Sequence, residues 1–246
     1  MTSRAWVRRA RPLLGTLVEV GLSAASPARA FDAAFDTLIE VQACLSRFDA
    51  ASDIARFHAL AVGESLALRA HTAAVLAAAR ALHEASGGVF DVSLHSAEDG
   101  WRCEGLRLYK RHAEVRLDLG GIGKGYAVDC AVEALIARGC SAGWVNAGGD
   151  LRAFGGAQVP LRLRDEQQGG VRSFATLSDG SFATSHFDAG SRSIACGGSH
   201  ASPVLAHASV AAPLCLWADA LTKIVAITGN ASHPLLARYA ARAWLH

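Results

Sequence analysis

A lysine set among glycines is the first feature with chemical content. Gly120-Gly121-Ile122-Gly123-Lys124-Gly125-Tyr126 follows Val115-Arg116-Leu117-Asp118-Leu119 and leads into Ala127, Val128, Asp129, Val132, Leu135 and Ile136, up to Gly139. This pattern predicts a strand, a glycine loop and a helix. The first backbone N–H groups of such a helix, with Lys124 among them, suit the oxygens of a phosphate, and a nucleotide is the natural ligand. Two common nucleotide loops fail on spacing. Asp118 stands where a G-x-x-x-x-G-K-[ST] loop needs its first glycine and Gly125 where it needs a hydroxyl. Gly121-x-Gly123 is followed by Tyr126 instead of a dinucleotide fingerprint's third glycine. A second strand, Trp144-Val145-Asn146-Ala147, ends in Gly148-Gly149-Asp150. In an α/β arrangement ligands collect beyond the carboxyl ends of neighbouring strands, so both loops are expected to face one pocket.

Near the other end, Trp217-Ala218-Asp219-Ala220-Leu221-Thr222-Lys223-Ile224-Val225-Ala226-Ile227 reads as a mostly buried helix with one acid and one base. A buried carboxylate is costly without a cation or hydrogen-bond donors. Lys223, one turn on, is the simple intrahelical partner for Asp219.

Other elements must position these groups. Phe31, Phe35, Leu38, Val41 and Leu45 recur at helical spacing between Pro27 and about Phe48. Ser52 is a natural N-cap for a short turn through Ile54 and Phe57, and a second, alanine-rich helix is expected from about Thr72 to Ala85, stopped by Gly87-Gly88. A short hairpin is expected near Leu106 to Val115. At the N-terminal end, Arg8-Arg9-Ala10-Arg11, an apolar stretch and Ala28-Arg29-Ala30 imitate a secretory signal. Glu19 interrupts that stretch, and Leu17-Val18-Glu19-Val20 alternates as a half-buried strand does.

Composition sets the outer bounds. The 246 residues can bury a core unaided by disulfides or metal. With 51% hydrophobic residues and a formal charge of +2, disorder is excluded, and neither nucleic-acid binding nor a membrane span is expected. The six cysteines show no CxxC pair, so they are read as reduced and mostly buried thiols.

Taken in order, the motifs resemble the FAD:protein FMN transferase family, flavin transferases also described as thiamine biosynthesis lipoprotein-like. Leu14-Gly15-Thr16 resembles the family's opening strand, Ser46-Arg47-Phe48 with Ser52-Asp53-Ile54 its S-x-[FY]…S-[DE]-[IL] segment, and Gly87-Gly88-Val89-Phe90-Asp91 its G-G-x-F-D turn. Asp118 to Tyr126 is similar to D-L-G-[AG]-I-[AG]-K-G-[YF]. Asn146 to Asp150, Ala183-Thr184-Ser185 and Ala218-Asp219-Ala220-Leu221 complete the series.

The resemblance implies an α+β fold, a single compact unit of two α/β lobes over residues 1–246 with a flavin-nucleotide pocket between them. It implies transfer of FMN from FAD to a Ser or Thr hydroxyl of an acceptor flavoprotein, with release of AMP and help from a divalent ion, usually magnesium. Carried over by motif, Gly15, Thr16, Phe48, Asp53, Phe90, Asp91, Lys124, Asp129, Gly148, Gly149, Asp150, Thr184 and Ser185 are candidates for the flavin-nucleotide pocket, with Lys124 on the phosphates. The Gly121 carbonyl and Asp219 are the implied metal ligands. Two departures fall at the chemistry. The family places Thr four residues after that Asp, where this chain has Lys223, with Thr222 one place earlier. Either Lys223 partly replaces the ion or Thr222 supplies the hydroxyl. Arg192 to Gly197 stands where the family has H-x-I-x-D-P, which leaves His186 as the candidate base. An FAD pyrophosphatase giving FMN and AMP, and a protein that holds FAD without turning it over, are the competing readings. No Leu-x-x-Cys lipobox lies near the N-terminus, so the chain as written is expected in the cytoplasm, or in the periplasm if a leader has been removed from it.

Overall fold

The computed structural model describes residues 5–97, 99–164, 169–185 and 207–246. Along the chain run β1 (Trp6–Leu13), β2 (Thr16–Ser23), α1 (Ala30–Leu45), α2 (Asp53–Ala59), β3 (Ser65–Ala67), α3 (Ala70–Ala85), β4 (Trp101–Glu104), β5 (Arg107–Lys110), α4 (Gly123–Ala137), β6 (Gly143–Ala147), β7 (Asp150–Arg164), β8 (Val171–Ser185), β9 (Ala208–Ala212), α5 (Cys215–Thr228), α6 (Leu235–Arg238) and β10 (Arg242–Leu245). Seven strands form one sheet in the order β1-β2-β6-β7-β8-β9-β10, and three form a second in the order β3-β5-β4. Every ladder is antiparallel. The fold is mixed helix and sheet as expected, but the rule that ligands gather at the ends of parallel strands does not apply to it.

Alternation in β2 sorts its two faces. Val18, Val20 and Leu22 are fully buried and share an apolar cluster with Phe31, Phe35 and Leu38 of α1 and Val128, Val132 and Leu135 of α4. On the other face of the sheet Trp144 packs with Leu151 and Ala153, and its indole N–H donates to Glu19 at 3.0 Å. That bond explains why an acid can interrupt the apolar stretch. Gly21 pairs with Trp144 in the ladder, and a Cβ on Gly21 would lie 2.2 Å from the indole ring. Residues that imitate a signal sequence therefore form the β1–β2 hairpin.

A second cluster joins Ile54, Phe57, Val75, Leu76 and Leu82 to Leu117, Leu119 and Ile122 and to Leu221, Ile224 and Val225 of α5. Leu45 and Tyr126 pack against both clusters. Ser52 caps α2 as expected, its Oγ accepting from the N–H of Ala55 at 3.0 Å. Gly229, at φ 62°, ends α5 in the left-handed conformation that glycine adopts without a Cβ penalty.

Two expectations need correction. The hairpin is β4–β5, so it starts several residues before Leu106. Residues 115–119 do not form a strand. Their backbone is held instead by groups from other segments: Arg116 N–H donates to Ser96 Oγ at 2.9 Å, Leu117 N–H to His58 Nε2 at 2.9 Å and Asp118 N–H to the Val92 carbonyl at 2.8 Å. Apolar alternation in Val115, Leu117 and Leu119 reflects burial of one side of an extended segment, and such burial does not require a ladder partner.

Candidate functional site

The starts of α4 and α5 meet at Gly125. A Cβ there would lie 2.2 Å from the Cys215 carbonyl oxygen and 2.8 Å from Asp219 Cβ, so only glycine permits this approach. Each helix caps the other. Asp129 of α4 accepts the N–H groups of Cys215 at 2.9 Å and Leu216 at 2.8 Å at the start of α5. Asp219 of α5 accepts the Gly125 N–H at 3.0 Å in the first turn of α4. Carboxylates at helix N-termini satisfy orphan N–H groups and meet the positive end of the dipole. The helix start that the sequence offers to a phosphate is therefore partly filled by the protein's own acid.

Two lysine–acid pairs lie at this junction. Lys124 Nζ pairs with Asp150, and Lys223 Nζ pairs with Asp219. Burial disfavours both carboxylate charges. In Asp150 burial and the neighbouring Asp219 outweigh the two lysines, and its pKa is pushed up to about 6. In Asp219 burial is overcome by Lys223, Lys124 and the Gly125 N–H, which together hold its pKa below the ordinary carboxylate value. Burial opposes the Lys124 charge, but Asp219 and Asp150 more than offset it and keep that ammonium protonated well above its usual range. Cys215, wholly buried beside these groups, has its thiol pushed up by burial and by the nearby acids, so it is no nucleophile at neutral pH.

A cavity of about 390 Å³ opens beside the glycine loop. Its walls come from the β1–β2 turn (Leu14, Gly15), the end of α1 with the residues after it (Gln42, Ser46, Arg47, Phe48) and the loop itself (Asp118, Gly120, Lys124). Gly15 has φ 72° in the turn. Gln42 Oε1 accepts from the Leu14 N–H at 2.5 Å and pins that turn to α1. Arg47 pairs with Asp118 at 3.1 Å and lies over the ring of Phe48, which is 85% exposed at the rim. Gln42 and Arg47 were not singled out from the sequence. Arg47 sits inside the S-R-F motif, which was the available signal, whereas nothing local marks Gln42.

The structure sorts the remaining candidates. Thr16 packs against Gly148, whose hypothetical Cβ would meet Thr16 Oγ1 at 2.3 Å. Gly149, at φ 106°, donates its N–H to Asn146 Oδ1 at 3.0 Å, and this turn delivers Asp150 to Lys124. Thr184 and Ser185 end β8. Thr184 Oγ1 lies 2.9 Å from Ser209 Oγ, which is 3.0 Å from His246 Nε2, while Ser185 Oγ lies 2.7 Å from Thr222 Oγ1 and 3.1 Å from Lys223 Nζ. Other acids have structural partners. Asp53 is fully buried and accepts from Arg69 N–H at 2.8 Å and Thr72 Oγ1 at 2.7 Å at the start of α3. Asp91 is bound into its own turn by Ser93 and His95 N–H groups at 2.8 and 3.0 Å, and Phe90 lies in the apolar cluster around Phe57. His186 lies outside the described residues.

Of the expected metal ligands, Asp219 and Thr222 lie together on α5, and the Lys223 side chain runs between Asp219 and Gly121. One oxygen of Asp219 accepts from Gly125 and the other from Lys223. The Asp219 carbonyl accepts from Thr222 Oγ1 at 2.6 Å and from Lys223 Nζ at 3.0 Å. A Cβ on Gly121 would lie 3.3 Å from Lys223 Cε. Among the described residues no three His, Cys, Asp or Glu side chains group as a metal site. A dication at Asp219 would also have to sit within bonding distance of an ammonium. The residues present do not fit a divalent ion.

The ApbE family profile matches residues 14–108 and 102–243. Among solved structures the chain is similar to the ApbE protein of Thermotoga maritima (19% identity, TM-score 0.83, covering 98% of this chain and 94% of that one). It is similar to the flavin transferase ApbE of Vibrio cholerae (19%, TM-score 0.82, 99% and 94%) and to the apo form of the flavinyl transferase ApbE of Pseudomonas stutzeri (23%, TM-score 0.81, 98% and 90%). At these identities the likeness establishes the fold. No curated protein matches the chain.

Proposed function

The chain belongs to the ApbE family, and we propose that it transfers FMN from FAD to a Ser or Thr hydroxyl of an acceptor flavoprotein, releasing AMP. The observation that carries this reading is Lys124 on the wall of the cavity, in the first turn of α4, beside Gly15 and Phe48. Its volume falls within the ~300–1,000 Å³ typical of small-molecule sites. The names of the Vibrio and Pseudomonas structures, a flavin transferase and a flavinyl transferase, support the same class of reaction.

In this reaction the acceptor oxygen attacks the phosphorus on the riboflavin side of the pyrophosphate. A new O–P bond forms, the bridging P–O bond breaks, AMP leaves with the bonding electrons, and the hydroxyl proton is released. His186, next to Thr184 and Ser185 in sequence, is the proposed base for that proton. Negative charge builds on both phosphates, and the ammonium of Lys124 is placed to meet it. Phe48, exposed at the rim, offers an apolar face to the flavin ring.

The test is to incubate the pure protein with FAD and a candidate flavin-acceptor domain, separate the nucleotides and weigh the acceptor by mass spectrometry. AMP release matched by an FMN-sized mass gain is the expected outcome. AMP with free FMN would make the protein a pyrophosphatase, and FAD left intact across candidate acceptors would make it a binding protein.

A further inference from the structure

Lys223 is the feature of the site that the family resemblance leaves unexplained. It is 7% exposed and its partner Asp219 is fully buried. An ammonium has three N–H donors and no acceptor, and all three find oxygens: the Asp219 carboxylate, the Asp219 carbonyl at 3.0 Å and Ser185 Oγ at 3.1 Å. Thr222 Oγ1 closes the ring by bonding the same carbonyl and the same serine. The oxygens come from α5 and from the end of β8, and the lysine stem packs against Gly121 of the glycine loop. A cation is thus held by the carboxylate and carbonyl of Asp219 on its own helix and by a hydroxyl from β8, the kind of oxygen set a hard divalent ion takes. An ordinary i,i+4 surface pair does not recruit an oxygen from a second element in this way.

We propose that Lys223 is a built-in monovalent cation standing where a divalent ion would otherwise be held, so that this chain cleaves FAD without a divalent metal. The proposal rests on the flavin transferase reading for its reaction, but not for its binding test. Lys223 acts here as a positioning residue. Its charge holds the Asp219 carboxylate on the Gly125 N–H in the first turn of α4, the residue next to Lys124. An ammonium is a compact point charge, and it needs no exchange with solution.

Manganese(II) is the probe, followed by electron paramagnetic resonance on the full chain without nucleotide. The parent protein should bind Mn²⁺ no more tightly than about 1 mM, whereas Lys223→Thr, which returns an oxygen to that turn and removes the charge, should take up one ion per chain at much lower concentration. Uptake of one ion by the parent overturns the proposal, and so does a folded Lys223→Thr that binds no better than the parent. The second arm is AMP release from FAD. The parent rate should be the same in EDTA and in magnesium, and Lys223→Met should lose about 100-fold in both, the scale of misplacing a group that acts on the reacting atoms. EDTA sensitivity of the parent overturns the proposal even if neither variant folds. If the parent releases no AMP under any condition while Lys223→Thr gains manganese, the reaction reading fails and the assignment of Lys223 stands.

Discussion

Lys124 answers to Asp150 inside the fold and, in the proposed reaction, to the phosphates of FAD. The link between the two is the protonation of Asp150. Folding raises its pKa from the ordinary value to about 6, chiefly through burial and then through Asp219. A group raised in this way contributes stability that is complete below the unfolded value of about 4 and is lost as pH rises through about 6. Two units correspond to about 3 kcal/mol. Urea unfolding of the parent and of Asp150→Asn should therefore show the parent losing about 3 kcal/mol relative to the variant between about pH 4 and pH 7. A constant difference would mean that Asp150 is not perturbed. Protonation of Asp150 removes the charge that Lys124 pairs with. Lys124 stands out in the sequence as a candidate because it lies among glycines at a helix start. Its pairing with Asp150 was not, because 26 residues separate them and only the antiparallel turn from β6 into β7 brings them together.

At the scale of elements, the candidate site borders the junction of α4 and α5 through Lys124. Both helices were expected from the sequence, and their caps were not. Asp129 looked like a pocket residue from its place in a motif, yet its two oxygens are used by Cys215, Leu216 and the Arg152 guanidinium. Those amides lie 86 and 87 residues away, so no local pattern could reveal the pairing. The junction depends on Gly125. In Gly125→Ala the new methyl group meets backbone atoms that cannot rotate away, so α4 and α5 must separate and the Asp219 cap must lengthen. Stability is expected to fall by about 3 kcal/mol, the upper part of the overpacking range, in chemical denaturation. A loss below about 1 kcal/mol would mean that the helices slide apart freely.

Over the whole molecule, two apolar clusters share Leu45 and Tyr126, and the cavity lies where they adjoin: Val41 of one and Leu119 of the other line it. Among the described residues no helix is long and apolar enough to cross a membrane. A ligand bridging both clusters stabilises the folded state as a unit. FAD at about 100 times its Kd should add about 2.7 kcal/mol and raise Tm by roughly 5–10 °C for a chain of this size. Calorimetry with FAD and with riboflavin at the same concentration checks the role of the phosphates, since riboflavin cannot engage Lys124 and should shift Tm less. Equal shifts would remove Lys124 from ligand binding.

Elements and chemistry-bearing residues were set by local sequence. Helical spacing placed α1, an alanine-rich stretch α3, an apolar run α5 and the Ser52 cap α2, and the glycine loop with Lys124 was the candidate site. These properties depend on neighbours within a turn or two of chain, where the periods of helix and strand act. Tertiary structure alone decided the rest. It made residues 115–119 an extended strut instead of a strand, turned Asp53 and Asp129 into helix caps, and seated Lys223 among oxygens of Asp219 and Ser185. Each of these outcomes turns on which distant donor or acceptor satisfies a buried polar group. Burial makes that satisfaction obligatory, but a linear sequence does not say which partner will be there.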